Sequence, residues 1–337
     1  MSFDPGNAQT IYLFTLKRKR IHMFSCPFDF CFQRSKKMPV TADVDAMITS
    51  TELAVNDGNI QRYKILKAVG TGSFSIVWKA VDTHTNEEVA MKVSSSRYTN
   101  STLEKEFFIL SKIKNPHVIS PISFYYDRRA LVTTHMILPF MKKDLYTHIE
   151  EKRYMSEEAL GKLVLDIAVA IKHIHDLDIV HRDVKPENIL VGDNGDYILC
   201  DFGSAESVNA LSLDGLIGSL FYMAPEVAEA YVKGNTSTLS IGRQMDIFSF
   251  GMVLYNMVTL TMGGADPANK SEMGFIDEIS RFDMMPHVDK LIDLSDVFRD
   301  LLKMMLCRSP VARITAEEIL NHDFVTGKNT ISSNYRM

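Results

Sequence analysis

The chain has 337 residues, 46% of them hydrophobic and 23% charged, with 17 glycines and 11 prolines. These fractions exclude wholesale disorder, a collagen-like repeat and a long coiled coil, and the length allows two packed units or one two-lobed unit. A net charge of −5 gives no overall attraction to nucleic acid or an anionic membrane, so no nucleic-acid partner is expected, and no run reaches the roughly 20 apolar residues of a transmembrane segment.

Residues 1–59 read as a poorly ordered N-terminal extension and linker. Residues 3–32 are rich in aromatics without helical or strand periodicity, and residues 38–59 are polar. Lys17-Arg18-Lys19-Arg20 follows the first apolar stretch, which argues against a secretory signal. Cys26, Cys31, Cys200 and Cys307 are too few and too scattered for a disulfide scaffold, which fits a cytoplasmic protein. The basic run adds nuclear import as an alternative.

From residue 60 the pattern becomes regular. Short β-prone runs at Tyr63–Val69, Ile76–Val81 and Glu87–Val93 alternate with turns. A helix over Thr102–Ile113 stops before Pro116, and Leu131–Met141 holds a further strand. In 156–176, Leu160, Leu163, Val164, Ile167, Ile171 and Ile174 line one helical face, with Ser156 as N-cap and Glu157 and Glu158 at the positive helix start. Ile247–Leu260 reads as a buried core helix, and Thr315-Ala316-Glu317-Glu318 as a capping box opening a last short helix. A small β-rich unit over 60–141 thus precedes a larger helical one over 142–326, with a short tail at 327–337.

Gly70-Thr71-Gly72-Ser73-Phe74-Ser75 lies between two strand-like runs. Glycines there permit a tight turn and let backbone N–H groups approach phosphate oxygens. The loop has no Walker lysine and leads into a strand instead of a helix, so neither a P-loop nor a dinucleotide fingerprint fits. Alone it is compatible with an ordinary hairpin.

His181-Arg182-Asp183-Val184-Lys185-Pro186-Glu187-Asn188, then Asp201-Phe202-Gly203 and Ala224-Pro225-Glu226, give an ordered set of far higher specificity. On these motifs the chain resembles the eukaryotic protein kinase family over roughly residues 60–326, on the Ser/Thr branch. The resemblance implies an α+β two-lobed fold. A small β-rich lobe with one main helix would face a larger, mainly helical lobe, with the ATP site in the cleft between them.

It also implies roles. The Gly-rich loop, with Ser75 in place of the usual third glycine, would cover the ATP phosphates. Lys92 of Val89-Ala90-Met91-Lys92 would reach the α and β phosphates, tethered by Glu106, with Glu104 the runner-up. Two residues apart on a helix is about 200° around the axis, so both cannot face Lys92. Asp183 would orient the substrate hydroxyl and accept its proton, and Lys185 would neutralise the γ-phosphate in flight. Asn188 and Asp201 would hold Mg²⁺. Ser219, after Gly218, would bridge Asp183 and Lys185.

Val77, Ala90 and Leu190 would sandwich the adenine, with Leu138 as gatekeeper and Pro139 and Met141 as its hinge contacts. Leu110, His181 and Phe202 would stack as a hydrophobic column. Glu226 and Arg313 would form a buried ion pair, and Phe248 stands where the family usually has Trp.

For regulation, Arg182 would meet an activation-segment phosphate. No hydroxyl stands at the usual phosphosite near Asp214-Gly215, so Asp214 as a phosphate substitute and Ser212 phosphorylation are rival expectations. Asp144 and Glu187 stand where some kinases bind substrate arginines. The expected cofactors are ATP and Mg²⁺, and the expected partners are proteins bearing Ser or Thr, met by a monomer. The kinase group stays open. Cys200-Asp201-Phe202-Gly203-Ser204-Ala205 resembles some proline-directed kinases, whereas the Gly218-Ser219-Leu220-Phe221-Tyr222 loop is closer to calcium/calmodulin-type groups. A pseudokinase scaffold is the competing reading, weakened because Lys92, Asp183, Asn188 and Asp201 are all present.

Overall fold

A computed structural model describes residues 55–56, 60–71, 75–94, 100–127, 133–152, 155–211, 218–234, 242–261 and 270–328. In chain order the N-terminal elements are β1 (Val55–Asn56), β2 (Tyr63–Thr71), β3 (Ser75–Asp82), β4 (Glu88–Ser94), α1 (Asn100–Lys112), β5 (Ser123–Asp127) and β6 (Thr133–Pro139). The strands form one sheet in the order β1-β5-β6-β4-β3-β2, antiparallel except for β1, which runs parallel to β5. Within the stretch read as linker, Val55 pairs with Phe124 and Asn56 with Tyr125. The rest of the extension lies outside the described residues.

The two faces of this sheet serve different cores. Val89 and Met91 of β4 turn to a small cluster with Tyr63, Ala80, Tyr125 and Ile137. Phe124 and Met136 belong instead to the main core, where the Phe124 ring stacks on Phe107 of α1 with centroids 4.7 Å apart. This placement seats α1 over β4 and β6, the arrangement on which the site depends.

The chain then passes through β7 (Lys143–Asp144), α2 (Leu145–Lys152), α3 (Glu157–Asp176), β8 (Ile179–Val180), β9 (Ile189–Val191), β10 (Tyr197–Leu199) and β11 (Glu206–Ser207). The helices α4 (Pro225–Lys233), α5 (Gln244–Thr259), α6 (Glu272–Arg281), α7 (Met285–Val288), α8 (Asp296–Met305), α9 (Ala316–Asn321) and α10 (Asp323–Thr326) follow. The three strands β10-β9-β7 make a small antiparallel sheet, and β11 pairs with β8. α3 begins where expected: the Ser156 hydroxyl accepts from the Ala159 N–H at 3.3 Å, satisfying an orphan donor. Its predicted face, Leu160 through Ile174, is buried. Thr315 and Glu318 form the reciprocal capping box that the sequence signals.

α5 is buried almost all round, from Met245 to Leu254 without a break. It crosses the end of α8 so closely that a Cβ on Gly251 would sit 2.9 Å from Leu306 Cδ2 and 3.1 Å from Met305 Cβ. Glycine there admits the neighbouring segment against the helix backbone. A packed helix at the centre of the lobe gives the loop that carries Asp183 a rigid floor.

Candidate active site

Lys92 sits on β4, opposite Met136 of β6 and Val77 of β3. Its ammonium donates to both oxygens of Glu106 at 2.8 and 2.7 Å and to Asp201 Oδ1 at 2.8 Å. Of the two glutamates it is Glu106 that meets Lys92, and it is buried, whereas Glu104, two residues back, is partly exposed. Burial alone would depress Lys92, but Glu106 and Asp201 outweigh it and its pKa is raised. Burial likewise opposes ionisation of Glu106, and the ammonium it shares with Asp201 counters that penalty. Beside Lys92, Asp201 is held down to about 2, against its own desolvation, and is therefore a carboxylate at neutral pH.

The second cluster hangs from the loop after β8. Lys185 Nζ donates to Asp183 Oδ2 at 2.8 Å and to Ser219 Oγ at 3.0 Å, and Ser219 Oγ donates to Asp183 Oδ1 at 3.0 Å. The three side chains thus close a ring. Asn188 donates its amide to the Asp183 carbonyl at 2.8 Å and to Oδ2 at 3.1 Å, which leaves its own oxygen available to a cation. Both Asp183 oxygens are engaged, so the carboxylate has one orientation.

Two backbone residues here lie in the left-handed region, Arg182 at φ 68° and Asp201 at φ 61°. Such conformations cost free energy in non-glycine residues and persist only where their surroundings hold them. For Arg182 the holder is Asp246, near the start of α5. It accepts the His181 and Arg182 N–H groups at 2.8 Å each and faces His175 Nε2 at 2.9 Å. Despite complete burial, which pushes the other way, Asp246 is held below the usual carboxylate range by His175 and His181. Asp246 immediately precedes the run Ile247–Leu260 read from the sequence as a buried helix. The available signal was a charged residue opening an otherwise apolar run.

The column residues Leu110, His181 and Phe202 are all buried. The His181 ring meets Phe202 edge-on with centroids 4.7 Å apart, and its Nε2 lies 3.0 Å from the Cys200 carbonyl oxygen. Gly218 carries the substrate loop past this point at φ 85°, and a Cβ there would lie 2.5 Å from the Arg182 carbonyl oxygen. Gly218→Ala is therefore expected to push Ser219 away from Asp183. Peptide phosphorylation should fall at least tenfold while nucleotide affinity, measured by fluorescent-analogue titration, stays within twofold.

The proposed adenine contacts come from neighbouring strands. Ala90 pairs with Leu138 and Val89 with Pro139 across β4 and β6, and Leu190 pairs with Asp144 across β9 and β7. Val77, Ala90, Leu138, Pro139, Met141 and Leu190 are all partly exposed. Asp144 has a structural duty as well, accepting the Thr147 N–H at 2.6 Å to start α2. Gly70 and Thr71 end β2 and Ser75 opens β3 with its side chain buried, so all three belong to strands. Gly72, Ser73 and Phe74, like Ser212 and Asp214, lie outside the described residues.

Asn188 and Asp201 are the candidate ligands for Mg²⁺. Among the described residues no group of three or more His, Cys, Asp or Glu gathers to hold a metal ion. The Asn188 amide oxygen and the ionised Asp201 are hard donors. Two such oxygens, completed by phosphate and water, suit a cation that keeps much of its hydration.

Glu226 and Arg313 pair bidentately at 2.6 and 2.9 Å. The Arg313 guanidinium also lies 4.9 Å from the centre of the Phe248 ring, so the substituted aromatic still packs against a cation. Among the described residues no helix is long and apolar enough to cross a membrane.

A family model described as "Protein kinase domain" matches residues 63–325. The chain is 29% identical over 277 residues to "Serine/threonine-protein kinase ATG1c" of Arabidopsis thaliana, covering 80% of this chain and 36% of that protein. It is 29% identical over 294 residues to "Serine/threonine-protein kinase CG17528" of Drosophila melanogaster, covering 84% and 38%. It is 30% identical over 287 residues to "Putative serine/threonine-protein kinase YPL150W" of Saccharomyces cerevisiae, covering 83% and 29%. The chain thus spans well under half the length of these curated relatives.

Proposed function

Because the chain belongs to the protein kinase family, we propose that it is an active serine/threonine kinase that moves the γ-phosphoryl group of ATP onto Ser or Thr hydroxyls of protein substrates. The observation that carries this reading is the closed ring of Asp183, Lys185 and Ser219, with Asn188 on its flank, next to an intact Lys92–Glu106–Asp201 cluster. A scaffold that had abandoned catalysis would have no need to hold every one of these groups within hydrogen-bond distance.

In the proposed reaction Asp183 accepts the hydrogen bond of the incoming hydroxyl and so aims its oxygen at the γ-phosphorus. The new O–P bond forms as the bond to the β,γ-bridging oxygen breaks, ADP leaves, and the hydroxyl proton passes to Asp183. Lys185 offsets charge on the transferred group, and Lys92, held by Glu106, fixes the phosphates behind it. Asn188 and Asp201 would hold Mg²⁺, which would supply charge neutralisation to the phosphates. The protein's share is positioning and electrostatics prepared in advance.

The substrate preference we propose is a basic residue upstream of the target hydroxyl. Glu187 Oε2 is buried and has no hydrogen-bond partner among the described residues. Burial raises the pKa of Glu187, with Asp183 and Asp144 adding to the rise against Lys185. A buried, under-satisfied carboxylate in an acidic corner is relieved by a guanidinium. A positional peptide library with Mg-ATP tests both claims. The expected result is phosphate on Ser and Thr alone, with selection for Arg upstream that Glu187→Gln reduces about tenfold. Nucleotide binding without transfer to any peptide would favour a scaffold, and transfer indifferent to basic residues would remove the substrate claim.

A further inference from the structure

Arg182 lies next to Asp183, yet the reaction proposed above gives its side chain no task. That side chain is only 7% exposed, and its Nε donates to the Ser204 carbonyl oxygen at 2.5 Å. A guanidinium so far from water needs anions in reach, and burial does push its pKa down, against the pull of Glu206 and Asp246. Asp246 is already committed to backbone N–H groups and His175. Glu206 is different, because its carboxylate joins three parts of the molecule.

Glu206 Oε2 lies 3.9 Å from Arg182 Nη2 and accepts from Lys105 Nζ at 2.5 Å. Its backbone is fixed independently: Glu206 pairs with Val180 in the β11–β8 ladder, and the Val208 N–H donates to the Asp178 carbonyl at 2.8 Å. Lys105 stands on α1 immediately before Glu106. Adjacent residues of one helical turn therefore hold the two ends of the site, Glu106 reaching Lys92 and Lys105 reaching Glu206. A swing of α1 away from β4 would break both links.

We propose that Glu206 is a positioning residue, an internal counter-ion that locks α1 to the catalytic loop so that the active arrangement forms without a phosphate on the segment following Asp201. This rests on the kinase reading given above. A half-exposed Lys105–Glu206 pair alone would be weak, since water screens it. Sharing the carboxylate with buried Arg182 changes that, because removing the anion leaves a cation in the interior with less compensation. A segment phosphate is expected to bring a negative charge to Arg182. Glu206 supplies one from within the fold.

The test uses the full chain treated with phosphatase. Peptide phosphorylation and amide hydrogen exchange over 100–112 are read for the wild type, Glu206→Gln, Glu206→Asp and the charge-swapped pair Lys105→Glu with Glu206→Lys. The wild type should keep its rate after phosphatase treatment. Glu206→Gln, which keeps shape and loses charge, should lower kcat/KM at least tenfold and speed exchange in α1, with exchange over 244–259 unchanged. Glu206→Asp should recover part of the loss. The swapped pair should not, because it restores the lysine link while setting a lysine against Arg182. Unchanged α1 exchange in Glu206→Gln overturns the proposal, as does a wild type that loses more than tenfold on dephosphorylation. If the wild type transfers no phosphate but its α1 exchange still responds to Glu206→Gln, the counter-ion stands and the reaction proposed above falls.

Discussion

Asp183→Asn should lower kcat by roughly 10² to 10⁴, the range that a positioned general base contributes. The amide is nearly isosteric with the carboxylate, and the ring around it supplies donors: Lys185 Nζ at 2.8 Å and Ser219 Oγ at 3.0 Å. One amide oxygen can still accept from one of them, but the amide nitrogen can accept from neither. The variant should therefore fold, bind nucleotide and lose the proton acceptor, with a small outward shift of Ser219. Steady-state peptide phosphorylation, nucleotide titration and a thermal melt together check this. A thermal midpoint within about 2 °C of wild type, nucleotide affinity within twofold and kcat reduced as stated is the expected pattern. Retention of more than a tenth of the rate would mean that another group takes the proton.

Arg313→Ala should produce the largest loss of stability, about 3–5 kcal/mol, because it strips the partner from Glu226 and empties a fully buried site. The Arg313 side chain is 0% exposed and Glu226 9%. Besides the bidentate pair, the guanidinium donates to the Cys307, Gln244 and Arg308 carbonyls at 2.9, 2.7 and 3.3 Å. The truncation thus orphans a carboxylate and several carbonyls together. At roughly 2 °C per kcal/mol for a domain of this size, the thermal midpoint should fall by about 6–10 °C. Arg313→Lys should rescue little, since one ammonium cannot reproduce the planar fork that meets both Glu226 oxygens. Denaturant unfolding of the three proteins measures the differences directly. Equal midpoints would show that the surrounding loop relaxes to satisfy these groups without Arg313.

The legible parts of the site are those that fall inside the ordered motifs. Lys92, Asp183, Asn188 and Asp201 stand in the ordered motifs that carry the kinase resemblance, and the structure gathers them in two clusters, Lys92 with Asp201 and Asn188 with Asp183. Helical geometry said only that Glu104 and Glu106 could not both face Lys92; the choice of Glu106 came from the kinase resemblance, and the ammonium does meet Glu106. The strand β5 was not legible. Phe124 is buried in the main core and its neighbour Tyr125 in the small cluster on the opposite face, so neither the two-residue alternation nor a long apolar run announces it. Glu206 was silent for another reason. Its partner Lys105 is 101 residues away, and pairing across such a separation leaves no local trace. Asp246 showed a trace, but its task, steadying the left-handed backbone at Arg182, exists only once the loop is folded over α5.

The family match begins at Tyr63, but the sheet begins at Val55. β1 lies along β5 and caps two of its five residues, leaving less of that strand's outer row of N–H and C=O groups free to template another chain. A protein trimmed to the family boundary would keep every catalytic group and lose this guard. Self-association through the bared edge, which is a colloidal defect and not a chemical one, is what such trimming invites.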